Sequence, residues 1–157
     1  MKKYKNKGIS VIEILIVVSI ISVISAIIIP SFSEFKNQQE LKNTTEDILS
    51  LLNEARSDTV SSINSTTYGV HFEVNKVTLF TGSSFSILPS NKEIDFDNTV
   101  TIPIIGGINL SGGGNDVVFN RIIGDTINDG TIILQLTNDV TSQKTITINK
   151  LGVISKN

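Results

Sequence analysis

An uninterrupted apolar stretch near the N-terminus constrains the fold of this chain more than any other feature. From Ile14 to Ser33 no residue carries a charge, which makes a run of 20 residues. At about 1.5 Å of rise per residue, a helix of that length nearly crosses a hydrocarbon layer of about 30 Å. The stretch therefore predicts a helix embedded in a membrane.

The first eight residues of the chain carry four lysines and no acid. Because cytoplasmic flanks are enriched in positive charge, they predict a cytoplasmic N-terminus and a body on the other side of the membrane. After the first eight positions the chain has 9 basic and 15 acidic residues, a net charge of −6. Such a balance argues against general nucleic-acid binding. The basic residues among the first eight are Lys2, Lys3, Lys5 and Lys7.

A single acid, Glu13, lies in the apolar segment five residues after Gly8. An ionised carboxylate in a bilayer costs about 2.5–3.5 kcal/mol, so such a residue usually has a partner. Alternatively, Glu13 lies near the lipid interface and extends to water, which leaves Gly8 and the spacing unexplained.

Two other interpretations of the segment remain open. A secretory signal peptide has a similar basic start and apolar core, but here Ile24-Ser25-Ala26 is followed by more isoleucine instead of a polar mature start. The other is a plain uncleaved membrane anchor.

The stretch from Gly8 to Ile14, G-I-S-V-I-E-I, resembles the processing site of type IV pilins and type II secretion pseudopilins. In that family a basic leader ends in glycine, and glutamate is the fifth residue of the mature chain. The resemblance implies cleavage between Gly8 and Ile9 by a prepilin peptidase, methylation of the new N-terminus at Ile9, and subunit assembly through Glu13. The cut would expose a charged α-amine at Ile9 as the partner for the Glu13 of a neighbouring copy. Glycine at the cut would also give a protease close access to the backbone. Pro30 matches a helix-kinking proline of many members, whereas Ile9 departs from the usual phenylalanine.

Parts of the body resemble a subgroup, the GspH/FimT-type minor pseudopilins. The matching segments are Ala55-Arg56-Ser57-Asp58, a strand followed by Gly124, a turn at Asn128-Asp129-Gly130, and a last strand whose end holds Gly152. The resemblance implies a structural subunit of a type II secretion pseudopilus, held in the inner membrane before assembly. Its partners would be other pilin or pseudopilin subunits, the prepilin peptidase, the inner-membrane assembly platform and the lipid bilayer.

The alternative within the same family is a FimT-like minor pilin of a type IV pilus, with a role in DNA uptake. Capture of DNA needs clustered basic residues. Near its C-terminus the chain offers only Lys144, Lys150 and Lys156, opposed by Asp139. The sequence therefore favours the structural role over nucleic-acid binding.

Hydrophobic periodicity predicts an α+β fold, with one long helix packed on an antiparallel β-sheet body. The helix is expected from about Ile9 to Ser61, bent or loosened near Pro30. Its second half carries an apolar stripe for packing on the sheet, formed by Phe32, Phe35, Leu41, Ile48, Leu51, Leu52 and Ala55. Alternating residues predict strands at 68–74, 77–80, 92–96, 99–105, 116–120, 131–137, 143–149 and 151–155.

The predicted organisation has four parts. They are a cleaved leader at 1–8, a transmembrane and assembly segment at 9–30, an amphipathic helical segment at 31–62 and a globular β body at 66–157.

No group of side chains predicts an enzyme, a cofactor site or a metal site. His71 is the only histidine, and strand alternation points it to solvent or to a second layer. The run Gly112-Gly113-Gly114 lacks the lysine and the following helix of a phosphate-binding loop. The loop from Asp125 to Gly130 could hold calcium, but Ile127 occupies a ligand position and a tight turn explains Asp129-Gly130. Calcium binding by this loop stays open.

Overall fold

The structure is a computed structural model that describes residues 8–157, with the backbone alone at Pro30. The chain divides into two compact units, residues 1–36 and 37–157. The predicted basic leader residues Lys2, Lys3, Lys5 and Lys7 lie outside the described residues.

One helix, α1 (Val11–Val60), spans 50 residues and confirms the predicted helix to within two residues at its start. It continues through Pro30; a bend there stays a prediction. The hydroxyl groups of Ser22 and Ser31 donate to the carbonyl oxygens of Val18 and Ile27, one turn earlier. These bonds satisfy polar side chains on an otherwise apolar segment, as is usual for serine in membrane helices.

The helix ends at a serine-rich turn, as the sequence predicts. A short 3₁₀ helix follows at Ile63–Ser65, and Ser62 and Asn64 have left-handed backbones with φ of 52° and 53°. Left-handed residues cannot continue a right-handed helix, so the chain turns back toward the first strand.

In the first unit, α1 exposes its apolar side chains on all sides. Each large apolar residue from Ile9 to Ile29 is at least 50% exposed. By length and composition this part of α1 fits a single-pass membrane anchor. Phe32 and Phe35 are also exposed, by 68% and 66%, and their packing on the sheet stays a prediction. Both precede residue 37, where the second unit begins.

Within residues 37–157, nine strands form two antiparallel sheets. The first sheet has the order β3-β2-β1-β6, and the second has the order β4-β7-β8-β9, with β5 also paired to β7. The strands are β1 (Tyr68–Phe72), β2 (Lys76–Thr81), β3 (Lys92–Asp95), β4 (Val100–Thr101), β5 (Ile108–Leu110), β6 (Asp116–Val118), β7 (Gly130–Leu136), β8 (Gln143–Ile148) and β9 (Ile154–Lys156).

Two strand predictions need correction. The predicted strand at 99–105 pairs only at Val100 and Thr101, because Pro103 has no N–H to donate and Gly106 adopts a positive φ of 74°. Strand β5 was not predicted. It pairs with β7 where the chain after Gly107 places Ile108 opposite Ile132. The last strand begins at Ile154, after the positive φ of 71° at Gly152 turns the chain.

The core lies between the second half of α1 and both sheets. The apolar stripe of the helix supplies Leu41, Ile48, Leu51, Leu52 and Ala55, each no more than 1% exposed. Strand residues of both sheets pack in the same cluster, among them Val70, Phe72, Ile132, Leu134, Ile146 and Ile148. Each large side chain buried in this way stabilises the fold by about 1.5–3 kcal/mol. All of these residues belong to the second unit, which therefore contains a complete core.

Candidate functional site

The predicted cleavage point lies at the start of the described chain. Gly8 is exposed, and a Cβ placed on it would meet no atom within 4 Å. Neither contacts nor a left-handed backbone require glycine there in the folded chain. The folded chain therefore does not explain a glycine at this position. Recognition of the backbone by a protease would explain it.

Glu13 lies in the first turn of α1, and Ser10 is the residue that flanks the helix start. A serine followed three residues later by glutamate is the sequence of a capping box, which the sequence analysis overlooked. The backbone N–H of Glu13 donates to the carbonyl oxygen of Ser10 at 3.0 Å. Among the described residues, no side-chain hydrogen bond joins the two, so helix capping does not account for this acid.

The surroundings of Glu13 on the helix surface are apolar. Ile9, Ile14, Val17 and Val18 line a shallow groove with it. Within residues 8–157 its carboxylate has neither an ion-pair nor a hydrogen-bond partner. The helix therefore presents an unpartnered carboxylate on an exposed apolar surface. In a membrane such a carboxylate needs a partner from a second molecule.

A second candidate region lies where the end of α1 meets two loops of the body. The guanidinium of Arg56 donates from Nε to the carbonyl oxygen of Gly124 at 2.9 Å and from Nη2 to that of Leu151 at 3.4 Å. The loops at 120–124 and 149–152 are thereby held together beside the helix. In the sequence Arg56, Gly124 and Gly152 lie in separate segments, and only the structure shows that they meet.

Both glycines of this junction are required by its geometry. Gly124 and Gly152 each have a φ of 71°, a conformation that side chains with a Cβ disfavour. A Cβ at Gly152 would overlap the carbonyl oxygen of Gly124, and a Cβ at Gly124 would lie 2.6 Å from Cγ2 of Val60. The close approach of the two loops and the helix thus depends on the absence of side chains at both positions.

A solved structure matches this architecture of a long N-terminal helix and a β body. It is the crystal structure of the type IV minor pilin FimU from Pseudomonas aeruginosa strain PAO1, with a TM-score of 0.57 and 16% sequence identity over 74% of this chain and 92% of that chain. This chain has a type IV pilin fold. No protein-family model and no curated protein sequence matches it.

The predicted site residues and the residues of the Arg56 junction belong to different units of the chain. Gly8, Ile9, Glu13 and Pro30 lie in the first unit, on or just before α1, and their predicted roles in cleavage, methylation, assembly and kinking stay predictions. Arg56, Gly124 and Gly152 lie in the second unit, where they join helix and sheets. The junction holds the two loops against the end of α1.

His71 lies on β1 of the first sheet, and its side chain packs under the loop before β3. Its Nδ1 lies 2.5 Å from Oδ1 of Asp116 on β6, and its ring stacks on Phe85 with centroids 3.9 Å apart. The backbone N–H of Phe85 in turn donates to Oδ2 of Asp116 at 3.3 Å. The histidine thus fastens the loop before β3 to the sheet. That structural role is sufficient to account for it.

The sequence also raised a metal site and a cluster of C-terminal lysines as candidates. Within residues 8–157 no group of three or more His, Asp or Glu side chains is placed to hold a metal ion. Of the three C-terminal lysines, Lys156 pairs with Glu46 of α1, while Lys144 and Lys150 are exposed. Asp139 accepts hydrogen bonds from Thr141 and Ser142 instead of opposing these lysines.

Proposed function

We propose that this chain is a pilin-like structural subunit that is cleaved between Gly8 and Ile9 and assembles through α1 into a pilus or pseudopilus. One observation carries the proposal: on a chain with a pilin fold, an unpartnered carboxylate at Glu13 lies in the first part of α1, where every large apolar side chain up to Ile29 is at least 50% exposed. Exposed apolar surface of this size requires lipid or other helices to cover it.

The proposed assembly chemistry uses one charge created by processing. A prepilin peptidase cuts the Gly8–Ile9 bond, and the new α-amine of Ile9 is methylated, which keeps its positive charge. As subunits leave the bilayer, the Glu13 carboxylate of one pairs with the Ile9 amine of its neighbour. Pairing removes two charges from apolar surroundings at once and thereby sets the axial offset between adjacent helices.

The proposed subunit passes once through the inner membrane before assembly. The lysine-rich leader lies in the cytoplasm and the unit at 37–157 lies on the outer side. Packing between α1 helices then replaces lipid contacts and supplies most of the cohesion. Its partners are other pilin-like subunits, the peptidase and the inner-membrane assembly platform. No enzymatic activity and no cofactor are proposed.

Such a subunit fits two assemblies, the type II secretion pseudopilus and the type IV pilus. The segments around Arg56, Gly124 and Gly152 favour a minor pseudopilin of a type II secretion system, by their resemblance to the GspH/FimT type. The fold match to FimU favours a minor pilin of a type IV pilus. Deletion of the gene separates them, because loss of exoproteins from the medium indicates the first and loss of surface pili indicates the second.

DNA capture is a further property that the type IV alternative could include. Since Lys156 is engaged with Glu46, few basic side chains are available for phosphate contacts. A mobility-shift assay of residues 37–157 at low and moderate salt tests this property. If neither salt concentration gives a shift, DNA capture is excluded.

Mass spectrometry of the mature N-terminus tests the processing step. In membranes from cells with the peptidase, the chain is expected to begin at Ile9 and to carry one added methyl group. In cells without the peptidase it is expected to keep its leader. A chain that still begins with Met1 in normally growing filaments would overturn the proposal.

Substitution of Glu13 tests the assembly step separately. Glu13→Ala is expected to insert and to be cleaved normally, yet to be lost from filaments, because the Ile9 amine then has no carboxylate. Glu34→Ala is the matched control, since Glu34 is another exposed acid of α1. Comparison of the two in sheared filament fractions gives the readout, and equal incorporation of both would contradict the pairing.

A further inference from the structure

The two loops joined by Arg56 present an unusual surface to solvent. Ile122, Ile123 and Leu151 are 82%, 69% and 69% exposed, and their neighbours Arg121 and Lys150 are exposed as well. In the described chain, neither cation has a hydrogen-bond or ion-pair partner. The acid of these loops, Asp125, is half-buried. These five residues, Arg121, Ile122, Ile123, Lys150 and Leu151, form the basic apolar surface.

The backbone at this surface is strained. Ile122 has a φ of 77°, which is a rare conformation for a β-branched residue. Hydrogen bonds hold the loop closed, from Asn120 N–H to Asp125 O at 2.8 Å and from Gly124 N–H to Asn120 O at 2.9 Å. Strain of this kind persists only where the surrounding structure holds it, and it is found most often at functional sites. Here it holds an isoleucine exposed to water.

A complementary surface lies at the opposite edge of the first sheet. Edge strand β3 exposes Glu93 and Asp95, and the loop before it exposes Ile87 by 86% and Leu88 by 45%. The cations of this region are engaged within the chain: Lys92 pairs with Glu54 at 2.6 Å, and Lys76 is shared between Glu73 at 3.5 Å and Glu93 at 3.6 Å. Because two acids share one lysine and Asp95 lies beside them, negative charge is in excess at this edge. The acidic edge is defined here as Ile87, Leu88, Glu93 and Asp95.

The order of the strands separates these two surfaces. In the sheet β3-β2-β1-β6, the acidic edge is on β3, and the loop with Ile122 follows β6 at the other side. Three strand spacings of about 4.8 Å place the two edges roughly 14 Å apart. A symmetric dimer through the basic apolar surface would bring like charges together. Contact with the acidic edge of another copy instead pairs opposite charges. It also covers the exposed isoleucines of the basic apolar surface with Ile87 and Leu88 of the acidic edge.

We infer that the basic apolar surface of one subunit docks on the acidic edge of a second copy of this chain. Such a head-to-tail contact leaves one free surface at each end and so continues into an open filament. The inference rests on the proposed function, because assembly through α1 holds neighbouring bodies at a high local concentration where a small contact is sufficient.

Cysteine cross-linking of the full chain in its native membranes tests this contact. The chain has no cysteine, so Ser90→Cys with Ile123→Cys introduces one thiol at each surface. Oxidation is expected to give a ladder of dimers, trimers and longer species. Ile123→Cys alone is expected to give no covalent dimer, since a head-to-tail contact does not bring two copies of one residue together.

A charge exchange identifies the partner surface. Combining Arg121→Glu and Lys150→Glu with the two cysteines is expected to reduce the ladder about tenfold, because acids then face acids. Adding Glu93→Lys and Asp95→Lys is expected to restore it. Ser90→Cys with Ile105→Cys is the matched control, because Ile105 is 92% exposed on a different loop and is expected to give no ladder.

Three results would overturn the inference: dimers from Ile123→Cys alone, an equal ladder from the Ile105 control, or no ladder from the original pair. Mass spectrometry of the same membranes tells whether the proposed function fails as well. If the chain begins at Ile9 without a ladder, only the docking contact is refuted. If it keeps its leader, processing is refuted too.

Discussion

Arg56 and Gly124, which are 68 residues apart in the chain, are joined by a hydrogen bond of 2.9 Å from the guanidinium Nε to the carbonyl oxygen. The same guanidinium reaches Leu151, 95 residues away. One side chain thus fixes the end of α1, the loop after β6 and the loop before β9. Because the basic apolar surface is carried by those two loops, its shape depends on this residue.

Removal of the Arg56 side chain should weaken the body. Arg56→Ala is expected to lower the free energy of unfolding of residues 37–157 by about 1.5–3 kcal/mol, since hydrogen bonds from a charged, partly buried donor are lost. Arg56→Lys should lose nearly as much, because an ammonium cannot reproduce the planar fork. Urea unfolding measures both. Arg121→Ala is the control and should change the value by less than about 0.5 kcal/mol.

Gly152→Ala should be more damaging than any substitution of Arg56. The added Cβ would overlap the carbonyl oxygen of Gly124, and backbone atoms on both sides cannot move aside easily. A loss of about 3 kcal/mol or more is expected.

Gly113→Ala separates the two causes of the loss at Gly152, which are the overlap of the added Cβ and the left-handed backbone. Gly113 has a similar φ of 67°, but a Cβ there meets nothing within 4 Å. It should cost only the left-handed conformation, about 1–2 kcal/mol. Equal losses in thermal unfolding of the two variants would refute the steric explanation.

Thr59 links the end of α1 to the first strand. Its buried Oγ1 donates to the Ala55 carbonyl at 2.8 Å and accepts from the backbone N–H of Tyr68 at 2.8 Å. Thr59→Val keeps the shape but leaves that N–H unsatisfied, so a loss of about 1–3 kcal/mol is expected.

Thr45→Val is the control for Thr59. The buried Thr45 hydroxyl donates only to Leu41 of its own helix, so its removal should cost less than 1 kcal/mol, about the net value of one hydrogen bond. Hydrogen exchange at the Tyr68 amide should rise in the Thr59 variant alone. Equal protection of this amide in both variants would contradict the role given to Thr59.

Acid should loosen the turn between β7 and β8 through Asp139. Hydrogen bonds from the Ser142 hydroxyl and then from Thr141 lower the pKa of Asp139 below its ordinary value of 3.8. A lowered folded-state pKa contributes stability that is present above pH 3.8 and is lost as the pH falls through the folded value. Asp139→Asn should therefore flatten the decline of stability in that acidic range. Asp95→Asn serves as the control, and an unchanged slope for Asp139→Asn would refute the effect.

Local patterns in the sequence determined much of this protein. The long helix, its end near Ser61 and most strands follow from periodicity and turn residues, which act over a few neighbouring positions. The spacing of Gly8, Ile9 and Glu13 equally belongs to the sequence. The pilin fold implied by these residues is confirmed by the structural match.

Only the tertiary structure decided which distant segments meet. It divided the predicted β body into two sheets, added β5 opposite β7, and left Phe32 and Phe35 exposed. It also brought Arg56 to Gly124 and Leu151, and placed the basic apolar surface and the acidic edge at opposite sides of one sheet. Such contacts depend on how strands pair across long loops, and no local periodicity records that choice.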